Sequence, residues 1–166
     1  MVLLTAAFAL SRVASGFAAE RDIDIADRVQ KIDSYVRKIE QNQTLVRKEV
    51  KLDSGALKDV TEEKWAKLDA YSRGDHVVRL KVYPAEGTKT EEYYYRKGKL
   101  VYVFVEPAGA GKQGHDPNAQ GTKYYFKGSK LIAVNEDGKT GSVNEEARNT
   151  GAKLLRESNA FLAAAK

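Results

Sequence analysis

A tyrosine-rich pattern that occurs twice places the strongest constraint on how this chain can fold. The segment YYYRKGKLVYV at 93–103 returns as YYFKGSKLIAV at 124–134, an offset of 31 residues. Each copy consists of a β-forming run, a two-residue break that contains Gly98 or Gly128, and a second β-forming run. This succession is typical of a β-hairpin. Two like hairpins so close together predict neighbouring parts of one twisted antiparallel sheet.

The two-residue loops also predict which residues face each other across the strands. The loop is Lys97-Gly98 in the first hairpin and Gly128-Ser129 in the second. Regular pairing in the first hairpin would place these residues opposite each other: Tyr95 and Leu100, Tyr94 and Val101, Tyr93 and Tyr102, Glu92 and Val103, Glu91 and Phe104. In the second hairpin it would pair Phe126 with Leu131 and Tyr125 with Ile132.

A helix is predicted before the sheet, from Asp22 to about Gln43. Apolar residues recur there at alternating spacings of four and three residues, which gives one apolar stripe along the helix. The stripe is too short for sustained coiled-coil heptads, so docking on a sheet is the better interpretation. Its members are Ile25, Val29, Ile32, Val36 and Ile39.

Strand patterns follow the helix, and a second helix closes the chain. Residues 46–52 alternate with period two, whereas 61–71 fit either a helix or a strand. The strand is favoured for 61–71 because the turn residues 73–75 would lead directly into the strand 76–83. The closing helix spans 143–165, with Ser142 or Asn144 as its cap. The predicted fold is α+β: a single antiparallel β-meander of about five to six strands between two helices.

The first 19 residues are interpreted as a signal peptide, and residues 20–166 as one domain. An apolar run at 2–10 is followed by small residues at 16–19 that suit cleavage. No Lys or Arg precedes the run, and Arg12 interrupts it, so an amphipathic helix of the folded domain is the alternative. The leader would make this a periplasmic or secreted protein, soluble because its lack of cysteine excludes a lipidated anchor.

Composition excludes several classes of site. The 166 residues carry a formal charge of +5 and include no cysteine, which removes disulfides, thiolate catalysis and Cys-ligated zinc. No apolar stretch is long enough to span a membrane. Basic and acidic residues interleave along the chain, so nucleic acid is an unlikely partner, while weak binding of polyanions or envelope components stays open.

Catalytic and metal-binding residues are scarce. Only His76 and His115 exist, without the spacing of a metal site, so no metal and no cofactor is predicted. His115 could act with Asp116 or Glu106 as the general base of a hydrolase, but adjacent residues in a Gly-rich loop lack rigid support. The same loop lacks the Ser or Thr and the following helix that a phosphate-binding P-loop requires.

The aromatic residues of the hairpins could form a binding surface, although sheet packing is the simpler interpretation. Consecutive aromatics alternate between the two faces, so about half of them must point into a core. The remainder could stack on a sugar, a strand of nucleic acid or a partner. The candidate binding residues are Tyr93, Tyr95, Tyr102, Phe104 and Tyr124, together with His115 in the 107–121 loop.

The hairpin segments, EEYYYxxGKLVYVF from Glu91 and KYYFxxxKLI from Lys123, resemble a group of small uncharacterised bacterial proteins. That group combines a leader, an N-terminal helix, a tyrosine-rich meander and a C-terminal helix. The resemblance implies an exported domain and supplies no catalytic residue. We therefore expect a non-enzymatic binding domain that uses either the open face of the sheet or the 107–121 loop, with the hydrolase and the polyanion binder as alternatives.

Overall fold

The computed structural model describes the backbone of residues 12–86, 89–106, 121–136 and 138–166, and the side chains of these residues except 12–22, 54 and 56. The elements are α1 (Arg12–Glu40), β1 (Val46–Lys51), α2 (Ser54–Leu57), β2 (Trp65–Arg73), β3 (His76–Pro84), β4 (Thr90–Arg96), β5 (Lys99–Glu106), β6 (Thr122–Lys127), β7 (Lys130–Glu136), β8 (Lys139–Gly141) and α3 (Glu145–Ala164). All strands join one antiparallel sheet in which each strand pairs with the next along the chain.

The α+β class and the antiparallel meander between two long helices are confirmed. The predicted number of strands was too low, because the described residues form eight. Strand β8 escaped prediction because its three residues, Lys139-Thr140-Gly141, contain no apolar side chain and so no alternation. The ambiguous segment 61–71 forms strand β2 from Trp65 onward, as favoured.

The predicted hairpin register holds only next to the turns. Tyr95 faces Leu100 and Phe126 faces Leu131, as predicted. Beyond these pairs the return strands carry an extra residue, Val101 or Ile132, with no partner opposite. Such a β-bulge shifts all later pairs, so the other predicted pairs were wrong. The observed pairs are Tyr94 with Tyr102, Tyr93 with Val103, Glu92 with Phe104, Glu91 with Val105 and Tyr125 with Ala133.

A third copy of the hairpin unit, not recognised in the sequence, lies in β2–β3. Tyr71 faces Arg79 and Ser72 faces Val77, so Val78 is the extra residue there. At each bulge, two successive residues of the return strand lie on the same side of the sheet. Val101 and Tyr102 accordingly both pack in the core beneath α1, as do Ile132 and Ala133.

Long helices pack on both faces of the sheet. The predicted stripe of α1, from Ile25 to Ile39, packs in the core of one face, which confirms the predicted docking. On the other face, α3 inserts Phe161 between Trp65 and Tyr93, with ring centroids 5.6 and 5.5 Å away in edge-on geometry. Asn144 caps α3 by accepting a hydrogen bond of 2.8 Å from the Ala147 amide, one of the two predicted caps.

Helix α1 crosses the strands at the end where the three hairpins turn. Ile25 lies beside β7, Tyr35 donates a hydrogen bond to the Tyr95 carbonyl, and Glu40 accepts one from Tyr94 on β4. The helix begins ten residues before the predicted start, at Arg12, and continues through the predicted cleavage site. Residues 1–11 lie outside the described part of the chain, so the leader, its cleavage and export stay predictions.

Candidate binding site at the basic end of the sheet

Four of the predicted binding residues lie in the core. Tyr93, Tyr95, Tyr102 and Phe104 are at most 2 % exposed, and in this conformation they offer no surface to a ligand. Tyr102 packs edge-on against Tyr94 and Tyr125, with centroids 5.4 and 5.3 Å away. The structure therefore places these rings where the simpler interpretation, sheet packing, expects them.

The hydroxyl groups of these tyrosines tie the helices to the sheet. Tyr94 donates to Glu92 and to Glu40 of α1, with O···O distances of 2.8 and 2.9 Å. Tyr125 donates to Asp33 of α1 at 3.0 Å, and the Tyr95 hydroxyl lies 2.9 Å from that of Ser158 on α3. Burial raises the pKa of Glu40 to about 7, although the bond from Tyr94 acts in the opposite direction.

The remaining predicted residues are dispersed. Tyr124 is half-buried and lines a polar groove of about 730 Å³ with Glu136, Lys139 and Glu146. Glu106 accepts a hydrogen bond of 2.7 Å from Thr90, while His115 and Asp116 lie outside the described residues. The hydrolase hypothesis thus stays a prediction. Among the residues that the structure describes, no group of three His, Asp or Glu side chains has the geometry of a metal site.

The open part of the sheet, over β1–β3 beside α1, is polar. Its charged side chains form ion pairs with one another. The Arg79 guanidinium and the Lys81 ammonium lie 2.7 and 2.9 Å from the Glu92 carboxylate, and Arg47 lies 2.8 Å from Asp69. Burial alone would raise the pKa of Glu92, yet these two cations hold it below its usual value. This part of the sheet is therefore not the expected apolar binding face, and the charges found there already have partners.

Cations collect where β2–β3, β4–β5 and β6–β7 turn. In a meander these three turns lie at one end of the sheet, which we call the basic end. Residues 73–76, 96–99 and 127–130 contain one carboxylate, Asp75, against the following cations: Arg73, Arg96, Lys97, Lys99, Lys127 and Lys130. The lysines at the turns were visible in the sequence. Counting which turns share an end of the meander would have predicted that they gather.

A notch of about 420 Å³, the basic notch, lies between α1 and the second and third of these turns. Its rim consists of Arg28, Lys31, Arg96, Lys97, Lys99 and Lys127, and its floor of Ile32, Val101, Phe126 and Ile132. A second hollow of about 440 Å³ shares Lys31 and Arg96 with the notch and adds Lys38. The cations thus form a continuous band along one flank of α1.

The cations of α1 are neutralised by their own helix, whereas those of the turns are not. Arg28 lies 2.9 Å from Asp24 and Lys31 lies 2.5 Å from Asp27, each one helical turn away. The Asp24 bond raises the pKa of Arg28, so this cation stays charged. Lys97, Lys99 and Lys127 are exposed and form no ion pair within 4.0 Å of a carboxylate of the described residues, although the charge of Lys127 helps to lower the pKa of Asp24.

Lys97 is held in an unfavourable backbone conformation. Its φ of 53° makes it the one residue other than glycine with a positive φ in the described part of the chain. The other two hairpins place Gly74 and Gly128 at the first loop position, with φ of 56° and 64°. A side chain with a Cβ atom destabilises this left-handed conformation by roughly 1–2 kcal/mol. The two-residue hairpin turn requires this conformation, and Lys97 adopts it without the conformational freedom of glycine.

The opposite end of the sheet buries carboxylates and is called the carboxylate end. Glu91 and Glu157 are at most 2 % exposed, and Glu91 accepts a hydrogen bond from Tyr93. The Lys153 ammonium is 3.9 Å from the Glu157 carboxylate, and Lys153 and the Thr61 hydroxyl offset only part of the effect of burial. Burial, and then the nearby Glu91 charge, raise the pKa of Glu157 to about 7.

Comparisons with known proteins add no relative to this picture: no protein family, no curated protein and no solved structure matches the chain. None of the helices in the described residues is long and apolar enough to cross a membrane.

Proposed function

We propose that this protein is a non-catalytic binding domain that takes an anionic partner at the basic end of its sheet. The observation that carries the proposal is the set of exposed, unpaired lysines Lys97, Lys99 and Lys127 around the basic notch. Unpaired like charges repel each other and contribute nothing to folding, so an external anion is the partner that would stabilise them.

Export and the resemblance to small uncharacterised bacterial proteins belong to this proposal as well. In the periplasm or outside the cell, the partner would be an anionic component of the envelope. The tyrosine-rich meander then serves as a rigid scaffold, because its rings are buried and its hydroxyls fix both helices. Binding would need no cofactor.

The proposal is tested with a soluble anion of high charge, long-chain inorganic polyphosphate, by titration calorimetry. The triple variant Lys97→Gln/Lys99→Gln/Lys127→Gln should lose most of the affinity, and salt should weaken the wild type more than the variant. The matched control is Lys51→Gln/Lys58→Gln/Lys64→Gln, which removes equal charge from exposed lysines elsewhere. Equal losses in both triple variants would show that net charge, not the basic end, attracts the anion.

A further inference from the structure

The cations of the basic end are spread over a wide surface instead of converging on one point. They lie on three turns, from β2–β3 to β6–β7, which are four strand spacings apart. At about 4.8 Å between strands, the row extends over roughly 19 Å. A single phosphate contacts donors that converge within hydrogen-bond distance. A row of this width instead matches a partner that presents many anions side by side.

Apolar residues lie among these cations. Ile32, Val101 and Ile132 are half-buried and form the floor of the basic notch, below the ring of Lys and Arg side chains. A soluble polyanion offers nothing apolar to cover this floor. The interfacial region of a bilayer offers both partners, because anionic headgroups lie directly above acyl chains.

Helix α1 adds to this surface along its length. It crosses the sheet close to the turns, and Arg28, Lys31 and Lys38 point from one flank into the same two hollows as the turn residues. Because the apolar stripe of α1 packs on the sheet, the helix contributes cations to this surface, and the apolar contribution comes from the floor of the basic notch.

We infer that the anionic partner of the basic end is the surface of a bilayer that contains anionic lipids, with the hairpin turns facing the membrane. This inference rests on the proposed function and assigns its partner. The carboxylate end faces away from the membrane in this orientation.

Vesicle binding tests the inference. Phosphatidylcholine vesicles with phosphatidylglycerol should sediment the wild-type protein, and vesicles without it should not. Each Lys near an anionic surface is worth about a fivefold change in partition, so the triple Lys→Gln variant of the basic end should bind roughly a hundredfold more weakly. The control triple variant at Lys51, Lys58 and Lys64 should retain most of the binding.

The orientation has its own measurement, because the chain contains no cysteine. An environment-sensitive dye is attached to Ser129→Cys in the third turn or to Asp59→Cys far from it, both exposed. Anionic vesicles should shift the emission of the dye at position 129 and leave that at 59 unchanged. A shift at 59 alone would overturn the orientation.

Failure of the inference is distinguishable from failure of the proposed function. Binding of polyphosphate by the basic end without any binding of anionic vesicles would exclude the bilayer and leave a soluble polyanion as partner. Binding of neither probe would overturn both proposals.

Discussion

The two ends of the sheet differ in whether their charged side chains are exposed or buried. At the basic end, Lys97, Lys99 and Lys127 are exposed and have no carboxylate partner among the described residues. At the carboxylate end, Glu91 and Glu157 are buried. Tyr93 and Lys89 compensate the burial of Glu91 only in part, and Lys153 that of Glu157. Exposed charges can contact a binding partner, whereas burial shifts the pKa of a carboxylate and so makes the stability of the protein depend on pH. The comparison teaches that one sheet can separate a cluster of exposed cations from a proton-sensitive packing region by the length of its strands.

The largest expected effect tests how tightly the end opposite the turns is packed. Gly121 precedes β6, and a Cβ atom there would lie 2.6 Å from the Phe104 ring and 2.7 Å from the Val105 carbonyl. Gly121→Ala should lower the free energy of unfolding by about 3 kcal/mol, at the upper limit of overpacking costs. Urea denaturation measures the change. Gly141→Ala, with no atom within 4 Å of its Cβ, should change stability little.

The next effect concerns protons at the carboxylate end. Glu157 has a pKa of about 7 in the folded protein against 4.5 as its ordinary value, so the folded state binds the extra proton between these pH values. Stability should therefore rise as pH falls from 7 toward 4.5. Glu157→Gln mimics the protonated form and should stabilise the protein above pH 7 by about 3 kcal/mol.

Thermal melts across this pH range would check the prediction. Part of the pH dependence should remain in Glu157→Gln, because the pKa of Glu40 is also about 7. Glu86→Gln, an exposed carboxylate at the same end, is the matched control and should keep the wild-type profile. An identical profile for wild type and Glu157→Gln would mean that Glu157 does not bind the proton.

A smaller effect separates stability from binding at the basic end. Lys97→Asn should raise the free energy of unfolding by about 1 kcal/mol, because Asn tolerates the left-handed conformation. The same substitution should weaken binding of anionic vesicles about fivefold. Lys99→Asn removes the same charge from an ordinary strand position and should weaken binding without any gain in stability. Equal changes in the free energy of unfolding in Lys97→Asn and Lys99→Asn would show that the positive φ of Lys97 does not destabilise the protein.

The smallest effect is the stability of the triple Lys→Gln variant of the basic end. Because these side chains have no partner among the described residues, their loss should change the free energy of unfolding by less than about 0.5 kcal/mol. A clear loss of stability in urea denaturation would mean that the lysines serve the fold. That result would contradict the contrast between the two ends.

Local sequence patterns predict much of the fold. The stripe from Ile25 to Ile39 predicted the docking face of α1, and Asn144 was one of two predicted caps. The bulges at Val101 and Ile132 were not predictable, because a β-branched residue suits a regular strand and a bulge equally well. Burial of charge was equally hidden: no local pattern marks Glu91 and Glu92 as buried, yet both lie in the interior.

The candidate site could not be predicted from any short stretch of the sequence. Each lysine at a turn is ordinary by itself, and only the number of strands between the turns brings the three loops to one end. The charged face over β1–β3 was missed for a related reason. Arg79 and Lys81 interact with Glu92 from the neighbouring strand, and this pairing depends on the register between β3 and β4.

The bulge repeated in β3, β5 and β7 makes the hairpin an exchangeable module. Because each copy contains its own extra residue, adding or removing a whole hairpin would leave the inside and outside of every other strand unchanged. Deleting Val134 alone would instead turn the rest of β7 over and bring Asn135 toward the face that now buries Val134. Growth or shrinkage of this architecture by complete hairpins is therefore easier than by single residues.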